Sequence, residues 1–327
     1  MGLQSSIDSA ARYLVDMQAP DGAWLDFNLP VGRSDAWTTA YIGMCLFETE
    51  PFVSARERRY VRAALDDAAR FVGAARGSEG TWGYNARVPP DCDSTSWAAL
   101  FLTAMGRAPG QDTYAALRTF ARPDGGFATY NAGPANDASS AWTRSHPEVT
   151  PVAACALAAT GKIADATLEA MLARRGGAGL WPSYWYRTAL YATLHNLIAL
   201  QAAGVTVEPP DTAVVAALAA TGDPFETALA LEIGVRFPAQ RGSRFVRDGA
   251  ARLAATQSPE GWWSAAPMLR VTDDAVERPW ELASDEAAGP LFGDDYFLFT
   301  TATAARAASV LLRERAVTGE VARAGLS

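Results

Sequence analysis

Histidine, lysine and cysteine are scarce in this sequence. Its 327 residues contain two histidines, His146 and His195, three cysteines, Cys45, Cys92 and Cys155, and a single lysine, Lys162. An odd number of cysteines without a CxxC pair argues against a disulfide framework and favours a reducing, cytoplasmic setting. No stretch reaches the roughly 18 uninterrupted apolar residues of a membrane span. The chain does not open with the basic and then apolar run of a secretory leader. Contact with a membrane surface stays open, because sequence does not assign helix faces to lipid or to core. The net charge is −8, with no basic stripe, which argues against a nucleic-acid partner.

Apolar and aromatic residues are plentiful. The chain is 49% hydrophobic, with ten tryptophans, ten tyrosines and thirteen phenylalanines, enough for a sizeable core. Several aromatics fall in a recurring turn. Gln18 to Trp24 and Gln257 to Trp263 both fit QxxxGxW, while Arg76 to Trp82 and Arg175 to Trp181 fit it with arginine in place of glutamine. Ala121 to Phe127 is a weaker copy, and Thr221-Gly222-Asp223-Pro224 marks a sixth place without its aromatic. Copies lie on the order of 40 to 60 residues apart, which suits two helices per repeat. Glycine ends a helix cheaply in the left-handed region, so each turn reads as a helix stop. The aromatics of these turns, Trp24, Trp82, Trp181 and Trp262, read as staples holding one helix end against the next repeat.

The segments between turns alternate in character. Ser94 to Met105 is apolar or small nearly all round, as an inner, buried helix is. Around Glu57 to Ala75, charges alternate with apolar residues at helical spacing, as on an outer helix. Period-two alternation is missing, so few strands are expected. About six inner and outer pairs suit either an open solenoid or a closed barrel, and the pattern alone does not choose.

Asp91-Cys92-Asp93-Ser94-Thr95 carries the most distinctive chemistry. Burying one carboxyl beside another disfavours ionisation, raising the pKa and keeping a proton available. The positive end of the helix that begins here pulls the other way. Taken alone, the two aspartates also suit plain helix caps.

The turns and the acid pair together resemble the class II terpene cyclase and squalene–hopene cyclase superfamily. Two more segments share that likeness: Trp181 to Tyr191 is similar to a WFGRWGVNYIY-like stretch, and Phe292 to Phe299 to an FPGDFYLxY stretch. The resemblance implies an all-α fold, an (α/α)6 barrel of inner and outer helices with QW-like repeats, with the whole of 1–327 as one β-type domain. It implies cyclisation of a linear, hydrophobic isoprenoid through carbocations, started by protonation. Asp93 then matches the catalytic acid and Asp91 the residue that orients it. The chain departs from the family in following Val149-Thr150-Pro151 with Val152 where hopene cyclases place a histidine, and in placing Ser94 at the fourth motif position.

Aromatic faces stabilise cations through their quadrupole. Candidates near inner-helix starts are Trp37, Trp97, Trp142, Trp185, Tyr186, Phe297 and Phe299, with core packing as the alternative for each. His146 is a candidate terminating base, or else a loop residue. Arg33, Arg87, Arg144 and Arg187 can bind an anionic head group or form surface salt bridges. No metal ligands group in the sequence, so a cofactor is not expected; Mg2+ enters only if the substrate carries a diphosphate. Two other functions fit a helical repeat: a lipid- or peptide-binding module, and a zinc-dependent prenyltransferase-like subunit. The second needs Asp, Cys and His ligands converging on one metal, and adjacent Asp91-Cys92 do not offer that spacing.

Overall fold

A computed structural model describes residues 2–134, 136–220 and 223–317. Thirteen helices follow in chain order: α1 (Leu3–Asp16), α2 (Ala36–Thr49), α3 (Ala55–Ala74), α4 (Cys92–Ala104), α5 (Gln111–Thr119), α6 (Val149–Ala158), α7 (Asp165–Ala173), α8 (Leu190–Ala202), α9 (Thr212–Ala219), α10 (Pro224–Val235), α11 (Arg244–Thr256), α12 (Asp285–Ala288) and α13 (Leu298–Val317). Two antiparallel ribbons complete the fold, β1 (Asp26–Leu29) with β2 (Gly32–Ser34) and β3 (Leu269–Arg270) with β4 (Leu291–Phe292).

Six helices form a closed inner ring. α2 packs on α4, α4 on α6, α6 on α8, α8 on α10, α10 on α13, and α13 returns to α2. The outer helices α1, α3, α5, α7, α9 and α11 lie against this ring. The open solenoid is thereby ruled out and the (α/α)6 barrel stands. Burial explains the two helix types. Every residue of α10 is buried, whereas α3 buries a stripe of Val61, Leu65, Ala68 and Val72 and leaves Arg56, Arg59, Arg62 and Arg70 to solvent.

The recurring turns build the barrel by one repeated set of bonds. The indole Nε1–H of Trp24, Trp82, Trp181 and Trp263 donates to the carbonyl ten residues earlier, on Leu14, Val72, Met171 and Leu253, at 2.6–2.8 Å. The backbone N–H of each aromatic donates to a threonine hydroxyl on the following inner helix: Thr39, Thr95, Thr193 and Thr301. Phe127 keeps this second bond, to Thr150, and has no indole for the first. The Gln18 amide donates to Gly22 O and Ala64 O, and that of Gln257 to Gly261 O and Ser6 O, tying each turn to a neighbouring outer helix. Arg175 likewise donates to Gly179 O and Glu208 O, and both Arg76 and Arg175 lie over the rings of Trp82 and Trp181, 5.9 and 5.3 Å from their centroids. In the turn that begins at Gln257, Trp263 rather than Trp262 is the staple; Trp262 stacks on Phe297.

Glycine is required at the turn tips. Gly22 and Gly261 hold φ of 95° and 103°, and a Cβ there would meet the Asp67 and Ser9 carbonyl oxygens at 2.5 and 2.3 Å. The sixth turn's Thr221 and Gly222 lie outside the described residues, but Asp223 caps α10 by accepting from Phe225 N and Glu226 N. Among the described residues no helix is long and apolar enough to cross a membrane.

Candidate active site

The first turns of α2, α4 and α6 and the loops opposite them enclose a cavity of about 460 Å³. Acidic residues sit at the start of all three helices: Asp35 and Asp91 cap α2 and α4 through their side chains, and Glu148 occupies the same place on α6. Strand β3 supplies the far wall, held there by Arg270 N donating to Trp185 O and by Arg187 N donating to Met268 O.

Asp91 and Asp93 divide their roles by geometry. Asp91 accepts from Ser94 N at 2.7 Å and from the Ser94 hydroxyl at 2.6 Å, so both its oxygens are engaged. Burial pushes its carboxyl up to about 6 against those bonds. Asp93 Oδ2 accepts the indole N–H of Trp37 at 2.9 Å, while Oδ1 is buried without a partner. Burial, then the charge of Asp91, hold Asp93 well above the ordinary carboxylate range, against the Trp37 bond; Glu148 adds a smaller upward push. These surroundings favour the protonated form of Asp93, which lines the cavity and has one oxygen unengaged.

The remaining wall is mostly aromatic. Trp37, Trp142, Trp185 and Tyr186 line it as the sequence suggests, joined by Tyr84 and Tyr130. Trp142 and Trp185 lie 5.8 Å apart, and Trp37 and Tyr84 stack at 6.0 Å. Three expected aromatics are placed elsewhere. Trp97 packs edge-on to Tyr41, and Phe299 stacks on Tyr41 at 3.9 Å, both within the hydrophobic core rather than the cavity lining. Phe297 sits at φ 58° just before α13 and stacks on Trp262.

His146 is also placed away from the cavity lining. Its Nε2–H donates to Ala141 O at 3.2 Å, which leaves Nδ1 to accept from the Thr129 hydroxyl at 2.6 Å. Thr129 in turn accepts the Trp185 indole N–H at 2.8 Å. Burial lowers the imidazole to about 3. With both nitrogens engaged and its ring outside the cavity lining, His146 does not present a free nitrogen to the cavity; through Thr129 it is bonded to the wall that carries Trp185.

Two polar residues on the wall escaped the sequence reading. Glu148 Oε1 accepts from Tyr184 N at 2.7 Å and from Trp185 N at 2.5 Å, and Oε2 is buried without a partner. Arg270 is buried, reaches Tyr184 O, Arg187 O and Asp285, and leaves its Nε–H without a partner. The arginines singled out from sequence do not line the cavity. Arg187 pairs with Asp285 at 3.3 Å and Arg33 lies over the Tyr296 ring. The pattern of acidic residues opening inner helices could have pointed to Glu148; no comparable local signal marks Arg270.

No protein-family model and no curated protein matches the sequence. Solved structures do. A variant of the type II terpene cyclase MstE from Scytonema, bound to its substrate geranylgeranyl dihydroxybenzoate, is 26% identical, with 95% of this chain and 98% of that chain covered and a TM-score of 0.79. Another MstE variant, holding its product merosterolic acid A, is 25% identical over 95% and 97% of the two chains, again with a TM-score of 0.79. This chain is a class II terpene cyclase. A more distant cyclase, ent-copalyl diphosphate synthase from Streptomyces platensis, shares the fold at 19% identity and a TM-score of 0.54, over 85% of this chain and 50% of its own. Among the cyclase's described residues, no three His, Cys, Asp or Glu side chains group as a metal site.

Proposed function

We propose that the whole chain is one barrel domain that cyclises a prenylated aromatic acid, with Asp93 as the initiating acid. The observation that carries this reading is a carboxyl beside a second carboxyl, with one oxygen bonded by the Trp37 indole and the other buried and unengaged, set in an aromatic cavity. The prenyl chain lies along the aromatic wall with its terminal alkene at Asp93 Oδ1. The O–H bond breaks, the alkene electron pair takes the proton, and a tertiary cation forms at the neighbouring carbon. Internal alkenes attack in turn, and the faces of Trp37, Trp142, Trp185 and Tyr186 stabilise each successive cation. Asp91, held by Ser94, keeps a second carboxyl beside Asp93 and so keeps Asp93 protonated. The buried Arg270 guanidinium, with an unpartnered Nε–H, suits an anionic head group, and MstE's substrate carries such a group on a prenyl chain.

The test is a panel of farnesyl and geranylgeranyl diphosphates beside the corresponding prenylated dihydroxybenzoates, read by mass spectrometry and NMR. Cyclised products are expected from the prenylated acids, with EDTA present, because the proton comes from a side chain. Turnover of the diphosphates alone would overturn the head-group assignment.

Trp185 separates cyclisation from simple lipid binding. Replacing its ring with leucine keeps much of the apolar volume but removes cation stabilisation of roughly 0.5 to 2 kcal/mol, about three- to thirty-fold in rate. Trp185→Leu should therefore release partly cyclised alkenes while substrate affinity changes far less than turnover. A loss confined to affinity would make Trp185 a packing residue.

A further inference from the structure

The cavity holds two carboxyl groups with an unengaged oxygen, and initiation uses only one. Asp93 binds through Oδ2 and leaves Oδ1 without a partner; Glu148 binds through Oε1 and leaves Oε2 without one. Glu148 is buried and Asp93 half-buried with its Oδ1 out of solvent, and both residues line the cavity. Asp91 lines it too, but Ser94 occupies both its oxygens. Helix capping does not account for Glu148, which makes no side-chain bond to the first turn of α6 and reaches across to the Tyr184–Trp185 backbone instead. Nor does ion pairing: Glu232, a deeply buried carboxylate elsewhere in the barrel, is held by Arg236 and Arg306 together, whereas no salt bridge is formed by Glu148 among the described residues. Burying an oxygen with nothing to bind is costly, and a ligand in the cavity can supply a partner for Glu148, which lines it.

We infer that Glu148 is the base that ends the cyclisation. This rests on the reading of Asp93 as the acid that begins it. In the last cation, a C–H bond next to the cationic carbon breaks. Its electron pair forms the new C=C bond with that carbon, and the proton passes to Glu148 Oε2. A cation and a carboxylate become a neutral alkene and a neutral acid. The overall isomerisation consumes no proton, so Glu148 gives its proton to water as the product leaves, and Asp93 regains one the same way.

The two environments support this division. Asp93 is driven well above the ordinary carboxylate range, while burial raises Glu148 only to about 7, with the Trp185 and Tyr184 N–H groups and the Arg270 charge drawing it down. Carboxyls whose surroundings push them apart in this way can serve as acid and base in one site. Other titratable side chains on or behind the wall are poorer acceptors. Tyr130 and Tyr186 are raised further from ionisation by burial, and His146 has both nitrogens engaged.

The experiment uses the full chain and the prenylated dihydroxybenzoate that turns over best, in D2O. Glu148→Gln keeps a carbonyl oxygen for the Tyr184 and Trp185 N–H groups and removes the basicity. It should consume substrate within about tenfold of the native rate and place one deuteron at the initiating carbon. The native alkene should fall at least tenfold as a share of product, replaced by alcohols from water capture or by isomeric alkenes. An unchanged alkene share would overturn the proposal. So would a folded Glu148→Gln protein that places no deuteron in substrate, since Glu148 would then serve initiation. If glutamine fails to fold by circular dichroism, Glu148→Asp decides: it should keep the native alkene as the main product, and loss of that alkene overturns the assignment. Asp93→Asn run alongside keeps the two readings apart, because substrate consumption by that variant would sink the acid and not the base.

Discussion

Asp93→Asn is expected to abolish cyclisation and to leave the barrel at least as stable as the native protein. General acid catalysis commonly contributes about 10² to 10⁴-fold, and of the two cavity carboxyls with an unengaged oxygen Asp93 is held the further above its ordinary range, so the loss should reach the upper end. Asparagine retains an oxygen for the Trp37 indole N–H, which preserves that wall of the cavity. The stability sign follows from linkage. The folded-state pKa of Asp93 is raised, chiefly by burial, so its favourable contribution is present in acid and is lost as pH rises towards the folded value. Asparagine has no such titration. The melting temperature of Asp93→Asn should therefore match or exceed that of the native chain at neutral pH, and the gap should widen as pH rises. Substrate consumption by the native enzyme should hold from acid to neutral pH and fall only as Asp93 ionises at higher pH. Turnover within tenfold of native for the variant would remove Asp93 as the acid. A variant that melts earlier at every pH would mean that Asp93 stabilises the fold.

What could be read in advance follows the range of the interactions. The staple turns were legible because their bonds are local: an indole reaching ten residues back, a glutamine amide bonding its own turn's glycine. The doublet Trp262-Trp263 misled because either ring fits the local pattern, and only the bond from Trp263 to Leu253 O decides. Barrel closure depends on α13 returning to α2, a contact between the two ends of the chain that periodicity does not encode. The acid pair was legible because its neighbour effect lies within one helical turn. Phe297 was misplaced because a positive φ before α13 accompanies a ring stacked on Trp262, which no residue pattern announces. Glu148 and Arg270 were missed for the opposite reason: each gains its meaning from segments distant in sequence, the Tyr184–Trp185 backbone for one and the β3 wall for the other.

Arg270→Met should weaken binding of substrates with an anionic head by about thirty-fold or more while altering kcat much less. The side chain is buried on the cavity wall with an unpartnered Nε–H, so an anion placed there gains a charge-assisted bond in a poorly solvated setting. Removing one member of a buried charge pair costs roughly 2 to 5 kcal/mol, and each 1.4 kcal/mol is tenfold in affinity. Methionine matches much of the apolar stem, and Asp285 keeps its contact with Arg187, so the fold has a route to survive the change. Head-group binding and general damage are separated by the substrate. The methyl ester of the same prenylated acid cannot present a carboxylate, and its KM should move less than threefold between native and Arg270→Met. Arg270→Lys should recover part of the loss through its point charge, but not all, because lysine lacks the planar fork. Equal weakening for acid and ester would mean that Arg270 only braces the Tyr184 and Arg187 carbonyls. The anionic end would then have to be held by another part of the wall, while initiation at Asp93 would stand unaffected, since the acid acts on the far end of the prenyl chain.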